Sequence, residues 1–357
     1  MLQSGYINFF NVNKCGIYRN FSPEPKGLEL IDTFSRIKAW KDSRNFEATN
    51  PWDPKVNRNK TACYCHEVYK APDSDDFLLV LWKSDADSSA PLYGIEVNPD
   101  GSVGKTISQA KAKGNKKMVW GRPCYYWIVP ELQLVASIKF ENSRTDSAMF
   151  QDWVKGCVDL RLPLPEFKKT TTEKGFTRIE LQDEEDKFRY HFNFDLTLKS
   201  ISTASAELQD LARRVTHIVR RETVSIRTVD KRQGFARLFK RFEVPYISAE
   251  DDASRKVEIK IEAKPTVAEL KEIIENYAES HESEKWENVG FVIDNTSRVV
   301  WASKFRLTDK ITAEDNNKPI FNAEKLYATI LHNRDRYLDP IRKELAMKNA
   351  LQEAENA

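Results

Sequence analysis

Val119-Trp120-Gly121-Arg122-Pro123-Cys124-Tyr125-Tyr126-Trp127-Ile128-Val129 is the stretch whose reading decides the fold. It is dense in aromatic and β-branched residues, the composition of a strand buried on at least one face. Pro130 and Glu131 then make a turn, because Pro fixes φ and brings no N–H to a ladder. Leu132, Leu134, Ala136, Ile138 and Phe140 return as a second strand. The polar run Glu141 to Thr145 offers helix caps, and Met149, Phe150, Trp153, Val154 and Cys157 recur at helical spacing. A hairpin feeding a helix is a nucleus for folding, and nothing in it resembles a catalytic motif.

Working outward toward the N-terminus, Tyr6 to Val12 reads as an opening strand, with Cys15 to Phe21 as its hairpin partner. Leu28, Ile31, Phe34, Ile37 and Trp40 step by threes and fours, an amphipathic helix. Ala62 to Tyr69 alternates, Phe77 to Trp82 is continuously apolar, and Tyr93 to Val97 leads into the turn Asn98-Pro99-Asp100-Gly101. Lys105, Lys111, Lys113, Lys116 and Lys117 form a basic loop or short helix before the central hairpin, a candidate for an anionic surface. Beyond it, Phe176 to Leu181 and Phe188 to Leu198 are strands around the acidic turn Asp183 to Asp186.

The texture changes at Ser202, which places a boundary between an N-terminal β-rich α+β domain, 1–201, and a C-terminal α+β domain, 202–357. The last helix of the second is expected to be able to pack back on the first. Leu208, Leu211, Val215, Ile218 and Val219 make the apolar stripe of a helix whose other side carries Arg213, Arg214, His217, Arg220 and Arg221. Phe235, Leu238, Phe239 and Phe242 suit a short helix. Val257, Ile259 and Ile261 alternate as a strand, and Thr266 with Glu269 is a capping box ahead of Val267, Leu270, Ile273, Ile274 and Tyr277. Val289 to Ile293 pairs with Val299 to Phe305 as a hairpin. Asn322 caps a last helix that Pro340 should kink or break. The fold class is α+β, mainly antiparallel sheets with flanking helices.

Composition bounds the function. A chain of 357 residues, 40% hydrophobic and 11% aromatic, builds a sizeable core. Its formal net charge is only +2, so the distribution of charge decides about anionic partners. Between Arg213 and Arg241 stand Arg213, Arg214, Arg220, Arg221, Arg227, Lys231, Arg232, Arg237, Lys240 and Arg241, ten cations against Glu222 and Asp230. That excess of eight is a phosphate-binding signature, with Lys116 and Lys117 as a second basic element. The bland alternative is a solvated face whose arginines pair with acids of the same chain.

Five cysteines, Cys15, Cys63, Cys65, Cys124 and Cys157, lack regular spacing and point to a reducing, cytoplasmic location rather than a disulfide framework. Cys63-x-Cys65-His66 is a poor zinc motif, because on a strand the two thiols share a face and His66 opposes them. Glu258-x-Lys260 and Glu262-x-Lys264 evoke metal-dependent nucleases, a chemistry that needs a further carboxylate such as Asp251 or Asp252 at the same point. Walker A, GxSxG, HExxH and GxGxxG motifs do not occur. No cofactor, no metal and no catalytic residue is expected, nor a signal sequence or direct membrane insertion.

The order of these elements resembles the RexA-like phage-exclusion family of lambdoid phages. The resemblance is carried by Gly5-Tyr6 opening a strand that ends in Asn13-Lys14, by Gly121-x-Pro123, by Val135-Ala136 and by Thr145-x-x-x-Met149-Phe150. It continues through the strand and helix from Val257 to Tyr277, the hairpin from Val289 to Phe305 and the helix from Asn322. It spans most of the chain, with much of Arg213 to Arg241 standing as an insertion. It implies a homodimer that binds double-stranded DNA without sequence preference, serves antiviral defence and works beside a separately encoded protein partner. A contact from the matching C-terminal hairpin would have to use Arg298 or Lys304, since Phe291 to Asp294 carries no cation. The apolar residues Phe9, Phe10, Leu338 and Ile341, for which the sequence offers no internal partner, agree with such a dimer. A metal-dependent nuclease and a protein-only scaffold are the competing readings.

Overall fold

The computed structural model describes residues 2–53, 60–84, 93–108, 117–171, 177–181, 188–199, 204–224, 255–280, 288–294, 296, 298–302, 307–314 and 320–355. It is an α+β protein whose sheets are antiparallel in every pairing. Two compact units divide the chain: Met1–Ser202 with Arg306–Ala357, and Thr203–Phe305. The span 306–357, expected in the second domain, thus lies with the first unit.

In chain order the first unit contains β1 (Leu2–Arg19), α1 (Leu30–Asp42), β2 (Cys63–Lys70), β3 (Phe77–Ser84), β4 (Tyr93–Val97), β5 (Val103–Ser108), β6 (Lys117–Val129), β7 (Leu134–Lys139), α2 (Ser147–Leu160), β8 (Phe167–Thr171), β9 (Thr177–Leu181) and β10 (Tyr190–Leu198). The second holds α3 (Ala204–Arg214), β11 (Val215–Val224), β12 (Arg255–Glu262), α4 (Val267–Ser280), β13 (Asn288–Ile293) and β14 (Val299–Trp301). The chain returns to the first unit with β15 (Thr308–Glu314), α5 (Ala323–His332) and α6 (Arg334–Glu355).

The large sheet runs β2-β3-β6-β7-β1-β10-β9-β8, with β15 on β1, β4 on β6 and β5 on β4. Its centre is buried on both faces, in keeping with a strand expected to be buried on at least one. Phe77 to Trp82 and Cys124 to Val129 are all inaccessible or nearly so. Neighbours along a strand point to opposite faces, so Tyr126 stacks on Phe150 of α2 at 4.0 Å while Tyr125 meets Phe321 at 5.9 Å. Phe34 of α1 joins Phe150 and Phe194 on the first face. On the second, Trp127 lies edge-on to Tyr337 of α6, among Leu326, Ile330, Leu338 and Ile341.

A buried carboxylate ties that second layer down. Asp76, 1% exposed, accepts hydrogen bonds from Trp127 Nε1 (3.0 Å), Tyr327 Oη (3.0 Å) and Arg334 Nε and Nη2 (2.8 and 3.0 Å). Burial together with that carboxylate raises the Tyr327 hydroxyl to about 12. Lys199, 3% exposed, pairs with Glu344 of α6 at 3.0 Å. Its carbonyl accepts from Leu307 N at 3.1 Å, so the chain leaves and re-enters the first unit at adjacent points.

Four expectations change. Residues 2–19 are one strand and not a hairpin, because the step between Val12 and Lys14 is a bulge in the β10 ladder that absorbs Asn13 without reversing the chain. The helix expected to continue through Val219 stops at Arg214, where the β-branched run Val215, Thr216, Ile218 and Val219 becomes strand β11. Pro340 sits inside α6, and the break between the last two helices falls at Asn333 instead. Phe9, Phe10, Leu338 and Ile341 are buried within the first unit, which removes them as an argument for a dimer.

The caps behave as read. Glu269 Oε2 accepts from Thr266 N (2.8 Å) while Glu269 N donates to Thr266 Oγ1 (3.2 Å), and Asn322 Oδ1 accepts from Lys325 N. Among the described residues no helix is long and apolar enough to cross a membrane.

Candidate nucleic-acid interface

The second unit is a four-stranded antiparallel sheet, β12-β11-β13-β14, with α3 and α4. Directly paired residues share a face, so the registers sort the side chains. Ile218, Ile261, Phe291 and Val300 lie on one side together with Arg220, Ile259 and Val289. Tyr277 of α4 reaches the Arg220 guanidinium at 5.7 Å, which identifies this as the helix-covered side. The opposite face carries His217, Val219 and Arg221 on β11, Lys256, Glu258, Lys260 and Glu262 on β12, Asn288, Gly290 and Val292 on β13, and Trp301 on β14. The β12 side chains Lys256, Glu258, Lys260 and Glu262 are exposed.

The basic segment therefore divides. Arg213, in the last turn of α3, is exposed. Arg214 pairs with Asp210 at 3.0 Å and with Asp294 at 2.6 Å, which raises the Arg214 pKa and holds the Asp294 carboxyl below its usual range. Arg220, with 16% of its side chain exposed, pairs with Glu222 beneath α4. Arg221 donates from Nε to Glu258 Oε2 at 2.6 Å and stacks on the Trp301 indole, 4.2 Å from guanidinium carbon to ring centroid. Adjacent on a strand, Arg220 and Arg221 face opposite ways, so one ligand cannot engage both. Arg227, Lys231, Arg232, Arg237, Lys240 and Arg241 lie outside the described residues, as do Lys116 and Lys304. Lys117 opens β6 in the first unit and meets Glu47 at 2.5 Å.

Trp301 and Gly290 are the residues that sequence reasoning passed over. A Cβ on Gly290 would stand 2.3 Å from Val299 Cγ1 and 2.8 Å from Trp301 Cε3, so the missing side chain is what lets the indole lie on the strand. An isolated Gly inside an apolar strand was the available signal, since it marks close approach of another group.

Cys63 and Cys65 are wholly buried thiols raised by desolvation, the latter to about 12, and His66 is pushed down to about 4 by its own burial. Glu258 and Lys260 are exposed on the face opposite the one that Tyr277 meets, and the carboxylates Asp251 and Asp252 lie outside the described residues. Among the described residues no group of three or more His, Cys, Asp or Glu is placed to hold a metal ion. A depression of about 430 Å³ is lined by Gln209, Ala212, Arg213, Thr266 and Val267. The Thr266 N–H and hydroxyl there already donate to the Glu269 carboxylate, which occupies the place an anion would take at the start of α4.

Comparison of the chain with protein-family models, with curated proteins and with solved structures finds no match.

Proposed function

We propose that the chain is a sequence-independent double-stranded DNA-binding protein of phage exclusion, acting as a homodimer in the cytoplasm, with a separately encoded protein as a further partner. The observation that carries this reading is the concentration of ten Lys and Arg against two acids between Arg213 and Arg241, in a chain whose net charge is +2. Phosphate contacts made by such a segment read no bases, which is why the binding is independent of sequence. The resemblance to the RexA-like family supports the defence role and the dimer.

Gel-shift titration of several unrelated duplexes at two salt concentrations tests it. Equal affinities that fall together as salt rises support the reading, with a log–log slope near −5 if about six phosphates are neutralised. Affinity that depends on sequence, or that ignores salt, removes it. The same incubation with plasmid and Mg²⁺ separates a binder, which retards the DNA, from a nuclease, which cuts it.

A further inference from the structure

We propose that the outer edge of β12 is where a second copy of this chain docks, antiparallel and centred on Ile259, so that two small sheets continue as one. The inference rests on the homodimer proposed above and names its interface.

The backbone supplies the first observation. β12 stands at the end of the strand order β12-β11-β13-β14, and among the described residues β11 is its one partner. Ala263 N donates to Thr216 O at 3.0 Å at the end of that pairing. Successive residues of a strand turn their N–H and C=O groups to opposite sides, so those of Lys256, Glu258, Lys260 and Glu262 point away from β11. Such an edge is a template for another strand.

The side chains say which strand. Lys256, Glu258, Lys260 and Glu262 are exposed and alternate in sign. Antiparallel pairing about Ile259 sets Lys256 opposite Glu262 and Glu258 opposite Lys260, and the two-fold axis repeats both contacts. These four residues also carry the outward N–H and C=O groups, so each pair exchanges two backbone hydrogen bonds. A slip of two residues either way sets Glu258 against Glu258 or Lys260 against Lys260, which leaves one register favoured. Edge lysines ordinarily keep strands apart; here each meets a carboxylate. An unrelated strand would have to match this order of signs, whereas a second copy matches it by symmetry.

The other side of β12 agrees. Val257, Ile259 and Ile261 remain partly exposed, while Val289 and Phe291, on the same side two strands inward, are 2% and 0% exposed. The same register puts Ile259 on Ile259 and Val257 on Ile261, which removes that apolar surface from water.

Sedimentation of the full chain at tens of micromolar tests the proposal. The parent should run at twice the 41.4 kDa chain mass. Lys256→Glu and Glu262→Lys each set like charges opposite one another and should weaken self-association about tenfold. An equimolar mixture of the two variants should pair as tightly as the parent, because opposite charges face each other again in the mixed dimer. Ile259→Cys, about 4.5 Å from its copy between Cα atoms, should crosslink to itself on mild oxidation. The native thiols are buried and do not compete. Charge variants that dimerise like the parent, a mixture without recovery, or an Ile259→Cys chain that fails to crosslink each overturn the edge pairing while the homodimer stands on another surface. A parent that stays monomeric overturns the edge pairing and the homodimer together, and leaves duplex binding to its own gel-shift test.

Discussion

The two sheets of this protein handle charge in opposite ways. The large sheet has helices on both faces, and its buried ions are enclosed: Asp76 with Arg334, and Lys199 with Glu344. Among the described residues the small sheet has helices on one face, and the ion pairs Arg214 with Asp294 and Arg221 with Glu258 are partly exposed. Enclosed pairs fix helices to a sheet, because removing one partner strands the other in a medium that cannot solvate it. Surface pairs contribute little to stability and can exchange a carboxylate for a ligand. The contrast directs a search for function to the small sheet and a search for stability to the large one.

The largest expected effect tests the enclosed side. Asp76→Ala leaves the Arg334 guanidinium, the Trp127 N–H and the Tyr327 hydroxyl without their shared acceptor, and should cost about 3–5 kcal/mol. Urea unfolding followed by near-ultraviolet circular dichroism measures it. Adding Arg334→Met should return part of the loss, since the mostly buried guanidinium, whose remaining partner is the half-exposed Glu131 at 3.0 Å, is then gone. A loss below about 1 kcal/mol would show that the cluster is solvated and the contrast between the sheets false.

That cluster also marks what was legible in the sequence. The strands announced themselves as the apolar run Phe77 to Trp82 and the aromatic, β-branched stretch Val119 to Val129, and the caps at Thr266 and Asn322 followed from residue type and spacing alone. Asp76 did not, because its partners Tyr327 and Arg334 lie 251 and 258 residues away and no local pattern encodes them. Val215 to Val219 satisfied a helical stripe and a strand equally, and tertiary pairing with β12 and β13 decided for the strand. The candidate site was half legible. The basic segment could be counted, but the opposite orientations of Arg220 and Arg221 appear only once they are known to sit on a strand.

A smaller effect sharpens the comparison within the small sheet. Arg220→Ala removes a mostly buried partner from Glu222 and from the face of Tyr277, and should cost about 1–3 kcal/mol. Arg213→Glu, on an exposed helix end, should change stability by less than about 0.5 kcal/mol yet lower duplex affinity and flatten the salt slope by about 0.9 per lost contact. Thermal melts and gel shifts on both variants check the division. If Arg213→Glu lowers the melting temperature while DNA affinity per folded molecule holds, the basic segment serves internal pairing.

A pH series returns to the large unit. Burial pushes Asp159 on α2 up to about 6 and holds Lys169 down to about 8; the Lys169 ammonium donates to the Leu162 carbonyl at 2.6 Å and to the Val158 carbonyl, closing the end of that helix. Below pH 6 the folded chain keeps a proton on Asp159 that the unfolded chain releases, so this group's contribution declines as pH rises from the ordinary carboxylate value to about 6. Above pH 8 the folded chain gives up a Lys169 proton that the unfolded chain retains, so the lysine's contribution grows from about 8 toward the ordinary lysine value. The difference between parent and Asp159→Asn stability should therefore slope on the acid side and flatten above pH 6. A difference that is flat from pH 4 to 7 would place Asp159 in solvent.

The smallest expected effect is none, and it concerns the thiols. Cys15, Cys63, Cys65, Cys124 and Cys157 are free and buried, and desolvation raises every one of them, Cys15, Cys65 and Cys124 to about 12. A thiol reacts as its thiolate, so groups that stay protonated and out of reach of solvent are inert. The native chain should release no chromophore from an aromatic disulfide reagent, and five equivalents once denatured. Reductant with chelator should leave the melting temperature where it was, because the five thiols stand free and, among the described residues, no three or more ligands are placed to hold a metal ion. One equivalent released rapidly from the native chain would place a thiol at the surface, and substitution of Cys15, the least enclosed at 6% exposure, would identify it. A melting temperature that falls by several degrees with chelator alone would instead bring Cys63, Cys65 and His66 together around an ion. That outcome would add a bound charge to the large unit and blur its contrast with the small sheet.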